Sequence, residues 1–264
     1  MPRLPIQFPA LLALLLLAAD AAAGAPYVGV APQGKPAAAR SRVKNVCSGC
    51  HGIQGHAVSP SFPNLAGQNY NYLLKSLENF RSGAWKASPM KSLVKTIPPT
   101  SDDSHLKNLA AYFAGQTPER KEGQRFDQSL LSRGEGIFEH GIRDEKVPAC
   151  AACHMQNGGG MAPMAVPRLA GQNAKYVDQQ LAQFASGKRA NSPHHIMRLV
   201  AGRLSKDQMH AVAAYVQALR PAQLPGAGPS TYAAYVQRAG QDPVPGVPPS
   251  AVSTSAGSDR SPQG

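Results

Sequence analysis

The sequence predicts an all-α protein built as two tandem copies of one small helical domain. Three observations carry this. The chain repeats itself at an offset of 103–104 residues: Cys47-Ser-Gly-Cys50-His51 returns as Cys150-Ala-Ala-Cys153-His154, and Pro63-Asn-Leu65-Ala66-Gly67-Gln68-Asn69 returns as Pro167-Arg-Leu169-Ala170-Gly171-Gln172-Asn173. Apolar residues in each copy fall at helical spacing. No segment shows the apolar–polar alternation of a strand. Two copies, each of domain length, make a pair rather than a solenoid.

The elements follow in chain order. Residues 1–24 hold Arg3, an apolar stretch from Ala10 to Ala19, and the small residues Ala21, Ala22, Ala23 and Gly24. That order predicts a secretory signal cleaved near Ala23. The stretch is too short to span a bilayer. In the first copy, residues 40–115, Leu73, Leu77 and Phe80 stand at i, i+4, i+7 and share one helix face, and Gly83 sits where that helix should end. A last helix presents Leu106, Leu109 and Phe113, with Ser101 or Asp102 as its candidate cap. Residues 116–146 are charge-mixed and read as a linker. The second copy, residues 147–220, repeats the face with Val177, Leu181 and Phe184, and the stop with Gly187. Its last helix begins at Ser205, with Gln208 completing a capping-box pattern, and buries Met209, Val212 and Val216. Residues 221–264 are rich in Pro, Gly, Ser and Ala with one leucine, which predicts a disordered tail.

Both Cys-x-x-Cys-His motifs together use all four cysteines of the chain. The pattern reads as covalent attachment of c-type haem. Thiols three positions apart on a helix reach the two vinyl groups of one porphyrin, and the adjacent histidine comes under the iron as an axial ligand. Other uses of the cysteines fit less well. A structural zinc site wants its second Cys pair about 15–20 residues after the first, whereas Cys50 and Cys150 are a hundred positions apart. A thioredoxin-type pair needs strand–helix alternation. A disulfide framework leaves the histidine after each pair unexplained. The expected attachment residues are therefore Cys47 and Cys50 for one haem, Cys150 and Cys153 for the other. His51 and His154 are the expected proximal ligands, with the Pro63 and Pro167 carbonyls as candidate partners for their free nitrogens. Two buried porphyrins would also supply apolar filling to domains with few aromatics, 6% of the chain.

An electron carrier wants the sixth iron site filled, and methionine fills it while raising the potential. Met90 is the only methionine of copy one, 39 residues after His51, in the loop expected after Gly83. Copy two offers Met155, Met161, Met164, Met197 and Met209. Met155 adjoins His154 and cannot cross to the opposite haem face. Met161 and Met164 lie near the attachment motif, and Met209 is expected in the core. Met197, 43 residues after His154, is favoured; His194 and His195 beside it leave bis-histidine ligation as the alternative.

With these motifs in place, the chain resembles the cytochrome c4 family, dihaem class I cytochromes c of two similar domains, over about residues 40–220. The features that carry it are the two attachment motifs, the repeated Pro-x-Leu-Ala-Gly-Gln segments, the following methionines and the Ala-Ala-Tyr of each last helix. The resemblance implies two class I cytochrome c domains, each wrapped around one covalent haem c. It implies His51 and Met90 on one iron and His154 and Met197 on the other. It also implies a periplasmic carrier, soluble or membrane-associated, passing electrons between respiratory complexes.

Charge bears on partners. Lys and Arg number 27 against 15 Asp and Glu. Residues 40–115 carry nine positive and three negative side chains, and residues 147–220 eight and two. Such a surface steers the protein toward acidic docking faces on redox partners and permits weak adsorption to anionic lipid. Nucleic acid is not expected for a basic charge spread over two exported haem domains. The leading expectation is a non-catalytic electron carrier. The alternatives are the cytochrome subunit of a larger dehydrogenase, such as a flavoprotein acting on sulfide or an alcohol dehydrogenase, and an enzyme in its own right with one labile sixth site.

Overall fold

The computed structural model describes residues 33–86, 88–119 and 125–220. The signal segment and the tail read from the sequence lie outside them. The first unit starts with α1 (Pro36–Arg42), which opens on a proline whose fixed φ suits a first helical turn. It runs through one π-helical turn, Val43–Cys47, into α2 (Ser48–His51). Then come α3 (Tyr70–Ser82), α4 (Met90–Lys95) and α5 (Ser104–Ala114). The second unit holds α6 (Gln128–His140), α7 (Ala151–His154), α8 (Ala174–Ala185), α9 (Ile196–Ala201) and α10 (Lys206–Ala218). Among the described residues the one β pairing is an isolated antiparallel bridge between Ile142 and Val147.

Each unit has its own core. In the first, α1 and α3 both pack on α5, around Val43, Leu73, Phe80, Leu106 and Phe113. In the second, α6 and α8 both pack on α10, around Phe138, Val177, Leu181, Phe184, Val212 and Val216. The apolar faces expected for α3, α5, α8 and α10 are the faces that are buried, except that Leu77 is only half-buried. Each fully buried Leu, Val or Phe contributes roughly 1.5–3 kcal/mol. Gly83 closes α3 in the left-handed region at φ 82°, and Gly187 does the same one residue beyond the cap of α8 at φ 75°. The capping box of α10 forms as read: Ser205 Oγ accepts from Gln208 N–H and Gln208 Oε1 accepts from Ser205 N–H.

Two local expectations change. The cap position of α5 is Asp103, in the left-handed region at φ 53°, rather than Ser101 or Asp102. Asp103 is held there through an ion pair with Arg81 of α3, while Asp102 accepts the Ser104 N–H at 3.0 Å. The charge-mixed segment 116–146 contains α6, capped by Asp127, whose carboxylate accepts from Ser129 and Leu130 N–H. This helix crosses α10 closely because Gly134 has no side chain: a Cβ there would collide with the Ala211 carbonyl and Tyr215 Cβ. Phe138 is fully buried beside Tyr215, with ring centroids 5.4 Å apart.

Gly134 and Gly136 of the same helix should therefore respond oppositely to an added methyl. Gly134→Ala should destabilise the protein by about 1–3 kcal/mol through overpacking. Gly136→Ala, whose Cβ would meet nothing within 4 Å, should stabilise it by about 0.5–1 kcal/mol through helix propensity. Chemical denaturation of the two haem-loaded variants checks both signs.

Candidate haem sites and the seam between the two units

The two attachment motifs sit in matching places. Cys47 ends the π-helical turn, and Cys50 and His51 lie on α2. Cys150 stands at the cap position of α7, and Cys153 and His154 lie on it. Each four-residue helix stops at once after its histidine. The next residue turns to positive φ: Gly52 at 69° and, less usually for a residue with a side chain, Met155 at 65°. The chain then returns over the histidine. Gly55 and Gly158 each accept two backbone N–H bonds from the following repeat, from Leu65 and Ala66 and from Leu169 and Ala170. A side chain at either glycine would strike that returning strand of chain.

That return delivers a carbonyl to each imidazole. His51 Nδ1 lies 3.1 Å from Pro63 O, and His154 Nδ1 lies 2.9 Å from Pro167 O. A carbonyl only accepts, so Nδ1 carries the proton in both rings. The rings are 5% and 7% exposed, and this burial holds both imidazoles below the usual histidine range. Both are thus neutral near pH 7, with the lone pair on Nε2. Among the described residues neither Nε2 forms a hydrogen bond. A buried neutral imidazole with a fixed tautomer and a free Nε2 fits an axial ligand.

The other residues also fit a porphyrin better than a metal cage. No disulfide joins the four cysteines. As free thiols they resist ionisation where buried: Cys150 is pushed up to about 11 and Cys47 is raised. Among the described residues no three His, Cys, Asp or Glu side chains are grouped to hold a metal ion. Trp85 is buried with its indole N–H unpaired, a donor of the kind a porphyrin carboxylate accepts from.

Met90 and Met197 are half-buried and pack against the first and second cores. Both lie in short helices rather than loops: Met90 opens α4, and Met197 is the second residue of α9. The two approaches differ. Met90 N–H donates to Ser88 Oγ, two residues back, and Met197 N–H to Ser192 Oγ, five residues back, both at 3.2 Å. Between Ser192 and Met197 the chain makes a 3-10 turn in which His194 and His195 take positive φ with exposed side chains. Met209 is core, and Met164 is exposed.

The repeated Pro-x-Leu-Ala-Gly-Gln-Asn segment does a second thing that the sequence reading missed. It joins the two units about a pseudo-twofold axis. Gln68 Oε1 accepts from Arg168 N–H at 2.8 Å and its Nε2 donates to Arg168 O at 2.9 Å. The equivalent Gln172 accepts from Asn64 N–H at 2.8 Å and donates to Asn64 O at 2.9 Å. Asn69 donates to Val166 O, and Asn173 donates to Phe62 O, both at 2.7 Å. The symmetry breaks where equivalent side chains differ: Asn64 Nδ2 donates to Gly171 O at 3.1 Å and Asn71 Nδ2 to Ala162 O at 2.9 Å, from places that hold Arg168 and Lys175 in the second unit. Trp85 of the first unit corresponds to Arg189 of the second, and the Arg189 guanidinium lies 3.6 Å from the Trp85 ring centroid and 4.3 Å from that of Phe184. Its nitrogens donate to Tyr72 Oη, Gln180 Oε1 and Asn191 Oδ1.

A family model described as cytochrome c matches residues 37–116 and again 131–220. The chain is 38% identical over 208 residues to cytochrome c4 of Azotobacter vinelandii, covering 76% of this chain and 90% of that one. It is 31% identical over 170 residues to a thiosulfate dehydrogenase electron acceptor of Stutzerimonas stutzeri, covering 64% and 76%. The crystal structure of reduced recombinant cytochrome c4 from Pseudomonas stutzeri superposes with a TM-score of 0.64 at 35% identity, covering 71% of this chain and all of that one.

Arg189 should be the least replaceable side chain of the seam. Arg189→Ala should cost about 2–4 kcal/mol, from a desolvated cation–π stack and hydrogen bonds made by a charged group. Arg189→Lys should recover less than half of that, because an ammonium cannot stack and fork at once. Denaturant titrations of the three proteins measure both differences.

The chain belongs to the cytochrome c4 family, and as a member it is a dihaem electron-transfer protein with two covalently bound haem c groups.

Proposed function

We propose that this chain is an exported, periplasmic carrier that moves electrons between respiratory redox proteins. Cys47 and Cys50 hold one haem by thioether bonds, and Cys150 and Cys153 hold the other. His51 and Met90 clamp the first iron, His154 and Met197 the second. The two units, α1 to α5 and α6 to α10, are each built round one of these haems, so the second domain begins with α6 rather than at residue 147 as read from the sequence. Each haem supplies an iron that stores and releases one electron. The observation that carries the reading is the pair of neutral, buried imidazoles, each with Nδ1 held by a proline carbonyl and Nε2 left for iron. Ligation by a histidine and a methionine would keep coordination unchanged between oxidation states and would exclude small molecules, which suits transfer rather than catalysis.

The net positive charge of both copies supports docking on acidic faces of partners, and it supports transient contact with anionic membrane surfaces by the same rule of weak basic adsorption. A second reading, the electron-accepting subunit of a dehydrogenase, is favoured by the likeness to a thiosulfate dehydrogenase electron acceptor. Isolation of the native protein at low ionic strength separates the two. Recovery alone supports the free carrier, and recovery in fixed ratio with a catalytic subunit supports the second reading.

Met90→Ala and Met197→Ala should each remove about half of the methionine–iron(III) charge-transfer absorption and lower one of the two potentials. His195→Ala should leave the band intact. A band left at full strength by Met197→Ala overturns the assignment of the second iron. Electron transfer to an acidic partner should slow steadily as salt rises, as stopped-flow mixing would record.

A further inference from the structure

The seam and the histidine bonds meet in one chemical group. The Pro63 carbonyl that holds His51 Nδ1 and the Asn64 N–H that donates to Gln172 Oε1 belong to the same planar peptide unit. The mirror arrangement joins His154, the Pro167–Arg168 peptide and Gln68 Oε1. Each proximal histidine is therefore one peptide away from a side chain of the other unit. The His51 contact measures 3.1 Å and the Gln172 contact 2.8 Å; the mirror values are 2.9 and 2.8 Å.

A peptide unit is polarised as a whole. An acceptor on its N–H draws positive charge there and leaves more negative charge on its oxygen. Chained hydrogen bonds strengthen one another in this way by about 10–30% per bond in condensed-phase estimates. A more negative Pro63 oxygen pulls harder on the His51 Nδ1 proton. The imidazole then donates more electron density through Nε2, which favours iron(III) and lowers the potential. The bonds are buried or half-buried, so water does not compete freely for the same groups.

We propose that Gln172 and Gln68 are positioning residues that tune the haem of the opposite unit, through the Pro63–Asn64 and Pro167–Arg168 peptides respectively. Docking of the two units thereby sets both potentials, and each haem's potential depends on its neighbour's glutamine rather than its own. The proposal rests on His51 and His154 being the proximal ligands.

The test uses the full haem-loaded chain. The variants are Gln172→Leu, Gln68→Leu and, as a control, Asn173→Ala, which removes the bond to Phe62 O but leaves the peptide relay in place. Redox titration is followed by the haem-methyl NMR signals, assigned to each unit through contacts with its own residues. In Gln172→Leu the first unit's haem should rise in potential and the second should move less. The ratio of the two reduced haems at half-reduction should shift several-fold toward the first. Gln68→Leu should show the reverse, and it reads the relay independently should the first variant fail to assemble. Asn173→Ala should leave the ratio near that of the unaltered protein. An unchanged ratio, a larger shift in the mutated unit's own haem, a fall in potential, or an equal effect of Asn173→Ala would each overturn the proposal. Failure of the ligand reading would look different, as loss of histidine-ligated signals in the His51 or His154 assignments of the unaltered protein.

Discussion

A buried imidazole that must stay neutral, keep one tautomer and expose one lone pair is the constraint on which each unit is built. The attachment motif places the histidine on a four-residue helix that is too short to stand alone. What fixes the ring is the carbonyl that returns to it twelve or thirteen residues later, from Pro63 or Pro167. Getting that carbonyl there explains much of the local chain. The helix must stop at once, so Gly52 and Met155 turn out of it. The returning segment must pass close, so Gly55 and Gly158 give it room and accept its N–H groups. The last helix of each unit then anchors the same segment from beyond, through Gly67 N–H to Phe113 O and Gly171 N–H to Val216 O.

Much of this was legible in the residues. The capping box at Ser205 and the apolar faces of α3, α5, α8 and α10 follow from local rules that act on neighbours in sequence, while the repeat and its Pro63 and Pro167 carbonyls show when the two copies are set side by side. The misses share a different cause. α6 was hidden because its contact with α10 depends on a missing side chain, Gly134, and a glycine adds nothing to an apolar pattern. The cap of α5 was displaced to Asp103 by an ion pair with Arg81, a residue 22 positions away. The helices at Met90 and Met197 are one to two turns long, below the length at which periodicity speaks. The seam was hidden because its partners stand about a hundred residues apart.

The seam also shows how two copies of one domain can diverge and still fit. Its symmetric bonds run from Gln and Asn side chains to backbone groups of the opposite unit. A backbone N–H or C=O is the same whatever side chain it carries. Asn64 and Arg168 occupy equivalent places, differ in size and charge, and receive the same pair of bonds from Gln172 and Gln68. Sequence drift at those positions leaves these backbone bonds intact, although Asn64 adds one of its own through Nδ2 to Gly171 O. Such a seam is directional where an apolar one is not: sliding by a residue would leave buried donors and acceptors unpaired, each at a cost of about 1–3 kcal/mol. The register between the units is thus held more tightly than a hydrophobic face of equal area would hold it.

Difference enters where side chains meet side chains. At the Trp85–Arg189 pair, one equivalent position holds an aromatic donor and the other a cation stacked upon it. A permanent positive charge, 5% exposed, disfavours a further positive charge nearby and favours an added electron. It belongs to the second unit, yet it stacks on the first unit's Trp85 as well as its own Phe184. Burial leaves it little screened by salt. The symmetric part of the seam treats both units alike, so a difference between them must come from unpaired features of this kind and from the unlike approaches to Met90 and Met197. Two sites built by one repeated rule are in this way given the means to differ, which a carrier needs if an electron is to leave from a different end than the one it entered.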